Sequence, residues 1–239
     1  MLKHVQEAEP IEQTPYEALR SGLIWGRWKS GERLMPPHLK KELGCTGSAL
    51  REALIRLSGE GFVEANTNFG FRACVQSESV FRQAAHLRLI LECEAATLSV
   101  QNGDFDWEML LNASHNKLNY IENQMLKADD IGPYIQRWSL QDWEFHHALL
   151  SACGSELLMR AYQDSYDKFR MYAVSEISNF GFSGKITIGE HKDIYDAAIS
   201  KDVPATIRAL KNHLVLYQDE NRSNQPMPTK KIISTKQQL

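Results

Sequence analysis

With 239 residues, 43% of them hydrophobic, and a net charge of -3, the chain can bury a sizeable core and has room for two modest domains. It is not uniformly basic, as a nucleic-acid coat would be, and no apolar run approaches the roughly 20 residues that span a bilayer. Four widely spaced cysteines, Cys45, Cys74, Cys93 and Cys153, form no CxxC pair and follow no signal-like start, which points to the cytoplasm.

Residues 1–13 are polar and without period, and are expected to form a flexible arm. Order begins at TPYEALRSGLIWG, where Thr14 as N-cap, Pro15 at the first helical position and Glu17 three residues after the cap make a capping box. A loop containing KSGERL separates this helix from PPHLKKELG, a second helix opened by prolines and closed by glycine. TGSALREALIRLSGEG predicts a third helix, with Leu50, Leu54 and Leu57 inward and Arg51, Arg56 and Glu60 outward. FVEANTNFGFRACV then has two β-prone segments around Asn66 to Gly70, the composition of a hairpin. Three short helices followed by a hairpin is the plan of a winged helix-turn-helix, here over residues 14–76.

From Glu78 onward nearly every segment has helical spacing. Six helices are expected at about 78–101, 106–127, 133–153, 155–178, 187–200 and 204–220, forming an antiparallel bundle over residues 77–222. The polar residues 223–239 are expected to be disordered. The fold class is therefore mainly α, a winged helix-turn-helix followed by a six-helix bundle.

Charge is unevenly divided between these parts. Thr14 to Val75 carries nine Lys or Arg against six Glu, so the remainder is acidic. In a helix-turn-helix the second helix of the motif enters the major groove by its N-terminal end, which presents Thr46, Gly47, Ser48 and Arg51 to bases or phosphates of double-stranded DNA. Arg51 is the foremost base-reading candidate. Lys40 and Lys41 suit phosphate neutralisation, and Asn68 and Arg72 on the wing suit the backbone or minor groove. The alternative is that Arg51 pairs with a nearby glutamate and the basic residues are solvated surface.

Tyr16 to Val75, above all in GERL, KELG, ALREALIRLSGEGFVE and NFGF, resembles the DNA-binding domain of GntR-family bacterial transcription regulators. The helical half resembles the FCD ligand-binding domain of the FadR-type subfamily, with six helices as in its VanR-like branch. The family usually has Ser-Arg-Thr before the recognition helix. Here Thr46, Gly47 and Ser48 stand there, so the arginine that members place on guanine is missing.

Asp142 and His146 are four residues apart, on one helix face with Trp138 and Leu149. His191 shares a face with Ile194 and Ala198, and His213 with Leu210 and Tyr217. One such histidine is most often a hydrogen-bonded core residue, but three histidines and an aspartate turned inward each need a partner, and one divalent metal would satisfy all four. The donor set suits zinc foremost, with nickel or manganese as alternatives. The resemblance points to the same four residues, since FCD domains carry a D-x-x-x-H pair and two later histidines. His147 points about 100° away and is assigned to packing or to support behind the ligands rather than to the ligand set.

The resemblance further implies a small carboxylic-acid effector, a homodimer, and repression released by ligand, with activation open. Periodicity makes Arg88 and Arg170 the candidates to receive the acid, against the alternative of ion pairs with Glu92 or Asp167. A metal-dependent enzyme is the rival reading. The chain has no HExxH, nucleophile elbow or glycine-rich phosphate loop, so a regulator rather than an enzyme is expected.

Overall fold

The computed structural model describes residues 14–66, 70–75, 77–180 and 184–214, the side chains of 175–180 excepted, in two compact units divided between Gln76 and Ser77. The expected arm, the wing candidate Asn68, the end of the last expected helix beyond 214 and the polar tail lie outside the described residues.

The first unit runs α1 (Pro15–Ile24), β1 (Arg33–Leu34), α2 (Pro36–Glu42), α3 (Gly47–Gly59), β2 (Val63–Asn66) and β3 (Gly70–Ala73). At the start of α1 the capping box is complete: Thr14 Oγ1 accepts from the Glu17 backbone N–H at 3.2 Å, and the Glu17 carboxylate accepts from the Thr14 N–H at 2.9 Å. Thr46 Oγ1 accepts from the Ala49 N–H at 3.2 Å and caps α3, whose Leu50, Leu54 and Leu57 are buried against Leu19 and Leu23 of the same small core. The helix stops at Glu60 because Gly61 takes a left-handed φ of 81°, which turns the chain into β2.

The strands form an antiparallel sheet in the order β1-β3-β2, with Val63 opposite Ala73 and Leu34 opposite Phe71. The sequence reading placed β1 inside a loop. Two residues carry no readable period, and Arg33 and Leu34 become a strand only because β3 offers them a ladder.

The second unit contains six helices among its described residues: α4 (Glu78–Asn102), α5 (Phe105–Met125), α6 (Gly132–Leu150), α7 (Glu156–Phe180), α8 (Lys185–Ile199) and α9 (Val203–Leu214). Ser77 and Asp104 cap α4 and α5 by accepting from the Val80 and Trp107 N–H groups at 3.2 and 3.0 Å. In the bundle α4 packs on α7 and α9, α5 on α6, and α8 on α9. The core is built from Leu111, Leu118, Phe145, Leu149, Tyr162, Ile194 and Leu210. Through its middle runs a buried polar strip of Arg88, Glu92, Glu122, Asp142, His146 and His191. No helix among the described residues is long and apolar enough to cross a membrane.

Candidate metal centre and DNA-contacting face

The polar strip closes on one point. Asp142 and His146 come from successive turns of α6, His191 from α8 and His213 from α9, and one ligand atom from each lies within 4.8 Å of the others. The α6 pair meets because i and i+4 share a face, and the same face carries the buried Phe145 and Leu149 into the core. Asp142 Oδ1 is 3.1 Å from His191 Nε2 and 3.8 Å from His146 Nε2. The ring centroids of His191 and His213 are 4.7 Å apart, and those of His146 and His213 are 5.4 Å apart.

A carboxylate stands behind each imidazole. Glu92 of α4 takes His146 Nδ1 in a short contact, Glu122 of α5 takes His191 Nδ1 at 2.7 Å, and Glu190 takes His213 Nδ1 at 3.2 Å. In a neutral imidazole, an Nδ1–H donated to a glutamate leaves the Nε2 lone pair available. The buried Nε2 atom of His146 has no hydrogen-bond partner, and that of His191 has only Asp142 Oδ1 beside it. Hydrogen bonds brace Asp142 and Glu122 as well: Tyr166 donates its hydroxyl to Asp142 Oδ2 at 2.5 Å, and Trp138 donates its indole N–H to Glu122 at 3.3 Å.

Electrostatics set the charges of the cluster against its burial. Burial pushes Glu92 toward the neutral acid, but the Arg88 guanidinium and His146 override it and hold the carboxyl down to about 2. Asp142 is held well below the usual carboxylate range, against its burial, by His146, His191 and Arg88. His191 would be driven down by burial, but the Glu122 and Asp142 carboxylates raise it to about 10. His213 goes the other way, held well below the usual imidazole range by burial and by the positive charge on its two neighbouring histidines. Anionic carboxylates thus surround imidazoles that cannot all be charged at once. Donor atoms bonded to one ion at about 2.0–2.2 Å lie at most about 4.4 Å apart, so shifts of a few tenths of an ångström would bring these four onto one ion.

The arginines sit beside this cluster. Arg88 Nε donates to Glu92 Oε2 at 3.0 Å, and its guanidinium lies over the rings of Tyr166 and Phe169 at 4.5 and 4.7 Å. The pairing with Glu92 weighed as the alternative therefore exists, although Arg88 Nη2 has no partner. Arg170 lies on the Tyr166 ring at 5.5 Å and donates to the Ser139 carbonyl at 3.4 Å. His147 is exposed beside Trp143, away from the cluster, as its angle on the helix predicts.

Glu122, Glu190, Tyr162 and Tyr166 were not among the residues singled out from sequence, and Glu92 was named only as a possible ion-pair partner. Glu122 left a signal, because it shares a helix face with the buried Leu118 and Met125. Glu92 left a similar one, four residues after Arg88. Glu190 left none.

In the first unit Lys40, Lys41, Ser48 and Arg51 are exposed, the last two in the first turns of α3. Arg51 makes no ion pair or hydrogen bond among the described residues, so the alternative of a pairing with a glutamate is not found there. Thr46 caps α3 with its hydroxyl oxygen, and Arg72 donates to the Gly31 carbonyl at 3.1 Å, bracing the segment that leads into β1. A built Cβ at Gly47 would meet nothing within 4 Å, so the position lacks a side chain without needing to.

Comparison with known proteins places both units. Residues 83–216 match the FCD domain, and residues 12–72 match the gntR family of bacterial regulatory proteins. The HTH-type transcriptional regulator BphR of Paraburkholderia xenovorans (strain LB400) is 29% identical over 205 residues, covering 85% of this chain and 82% of the relative. The HTH-type transcriptional repressor GlaR of Escherichia coli (strain K12) is 23% identical, covering 84% and 90%. Among solved structures, McbR/YncC of E. coli superposes with a TM-score of 0.72 at 18% identity, over 87% of this chain and 95% of that one. With the FCD match spanning more than half its residues, the chain belongs to the FCD-domain branch of the GntR family and is a DNA-binding transcription regulator, not an enzyme.

Proposed function

We propose that this regulator is an effector-controlled repressor, acting as a homodimer on a pseudo-palindromic operator, and that its effector is a small carboxylic acid received at a divalent metal ion held by Asp142, His146, His191 and His213. The observation that carries the reading is the glutamate behind every imidazole, which orients Nε2 toward a common point and makes each ring a stronger ligand. Zinc, nickel and manganese all suit three imidazoles and one carboxylate, zinc foremost. When bound, the ion supplies a Lewis-acidic position for an anionic oxygen. Two related E. coli proteins, GlaR and RspR, carry the name repressor, which favours that sign of regulation here.

Control follows from linkage. The acid must bind the DNA-competent and DNA-incompetent dimers with different affinity, since equal affinity shifts nothing. The bundle is well placed to sense it because the four ligands come from three helices, so a change in how they are held moves α6, α8 and α9 together. The test is titration of an operator, selected from random duplexes, with protein loaded with zinc or stripped by chelator, against a panel of small carboxylic acids. Acid-dependent release of DNA by zinc-loaded protein that disappears on stripping supports the reading. Release that persists in stripped protein overturns it.

On DNA, Arg51 is assigned the base contact, and Lys40 and Lys41 the phosphates, with Thr46, Ser48, Asn68 and Arg72 in supporting contacts. Arg51→Ala is expected to weaken specific operator binding by about 1–3 kcal/mol and leave non-specific binding nearly unchanged. The ratio of operator to random-DNA affinity measures this, and an unchanged ratio refutes the assignment. Since Gly47 offers no side chain where the family's arginine stands, the selected operator is expected to differ from the family's common sequence at that base.

A further inference from the structure

The metal site leaves part of the buried polar strip unexplained. Besides His146 Nε2, Arg88 Nη2 and the Tyr162 hydroxyl are buried without a hydrogen-bond partner. A buried donor left unmade costs about 1–3 kcal/mol, so two in one neighbourhood call for a missing partner. They share that neighbourhood through Tyr166. Arg88 lies over the Tyr166 ring at 4.5 Å, the Tyr162 and Tyr166 centroids are 5.8 Å apart, and Tyr166 bonds Asp142 of the metal cluster. Ser99, the other buried hydroxyl without a partner, lies about two helical turns beyond Glu92 on α4 and is not counted here.

The chemistry of the two groups differs. Arg88 already gives Nε to Glu92, and its remaining guanidinium N–H groups suit a carboxylate oxygen. Tyr162, fully buried between Trp143 and Tyr166, is kept a neutral phenol by its burial. A neutral phenol both donates and accepts, which fits an alcohol better than a second carboxylate.

We infer that the effector is a hydroxy acid, its carboxylate shared with Arg88 and its hydroxyl taken by Tyr162, which makes Tyr162 the residue that tells a hydroxy acid from its deoxy analogue. The inference rests on the proposed metal and effector site and adds the class of acid.

The experiment measures binding of three matched pairs to zinc-loaded full-length protein by calorimetry: glycolate with acetate, lactate with propionate, and malate with succinate. In the pair whose size matches the effector, the hydroxy acid is expected to bind about ten- to a hundredfold more tightly. Tyr162→Phe should abolish that difference and leave the affinity for the deoxy acid unchanged. Ligand-free Tyr162→Phe should melt no lower than wild type, because exchanging an unpartnered buried hydroxyl for hydrogen removes a cost. A hydroxyl preference that survives in Tyr162→Phe overturns the inference. So does a wild type that binds both members of every pair equally, or none of them. A lower melting temperature in ligand-free Tyr162→Phe would show that the hydroxyl has a structural partner, and would overturn it too. Elemental analysis of the same samples separates the two levels: stoichiometric zinc without a hydroxyl preference defeats this inference alone, whereas protein that takes up no zinc defeats the metal reading beneath it.

Discussion

Protein in which His191 and His213 are both replaced by alanine is expected to retain less than about a tenth of the divalent ion held by wild type, since loss of two of four ligands removes most of the binding free energy. Its melting temperature should fall by at least about 5 °C, because α8 and α9 lose their common tie to α6. Part of that fall would occur in any case, as Glu122 and Glu190 lose the rings they now hold. The response to chelator separates the two causes. Wild type should lose stability when stripped, and the double variant should lose none. A double variant that keeps stoichiometric ion would place the metal elsewhere.

Arg88→Ala is expected to destabilise the protein by about 3–5 kcal/mol, the usual cost of removing one partner from a buried ion pair. Both side chains are almost fully enclosed, and Glu92 would be left charged in the core with only His146 to face. The pH dependence should move with it. Glu92 is depressed from 4.5 to about 2 in the folded protein, so the stability it contributes is fully present above about 4.5 and is lost as pH falls toward 2. Without Arg88 its folded value rises, so the variant should gain less stability on going from acid to neutral pH than wild type does. Chemical denaturation at pH 3 and pH 7 measures both effects. A variant as stable as wild type at neutral pH would show that Arg88 does not brace Glu92. The pairing also bears on tests of effector recognition, for which Arg88→Lys is the better variant because it keeps the charge beside Glu92.

Much of the architecture was legible because it is local. Thr14, Pro15 and Glu17 announce α1 by their own hydrogen bonds, and the leucines of α3 recur at helical spacing because one face must be buried. The six bundle helices were readable for the same reason, with ends displaced by up to about three residues where termini fray. The convergence of Asp142, His146, His191 and His213 was also within reach, since a charged or titratable group on an apolar face has to find a partner inside.

Tertiary structure alone decided which partner each group found. Nothing near Glu92 in the chain says that it will meet His146, fifty-four residues away, or that Glu122 will meet His191 across sixty-nine. The strand β1 exists only through its pairing with β3, and the hydrogen bond from Arg72 to the Gly31 carbonyl joins residues forty-one apart in the chain. Likewise the unpartnered Tyr162 hydroxyl is invisible in a sequence where tyrosine on a helix looks like ordinary core. Periodicity records only which side of an element is buried, so the sequence by itself determined the helices, their inward faces and the groups that needed partners. Hydrogen bonds across the core depend on how helices rotate and slide against one another, a choice made by packing the whole bundle at once.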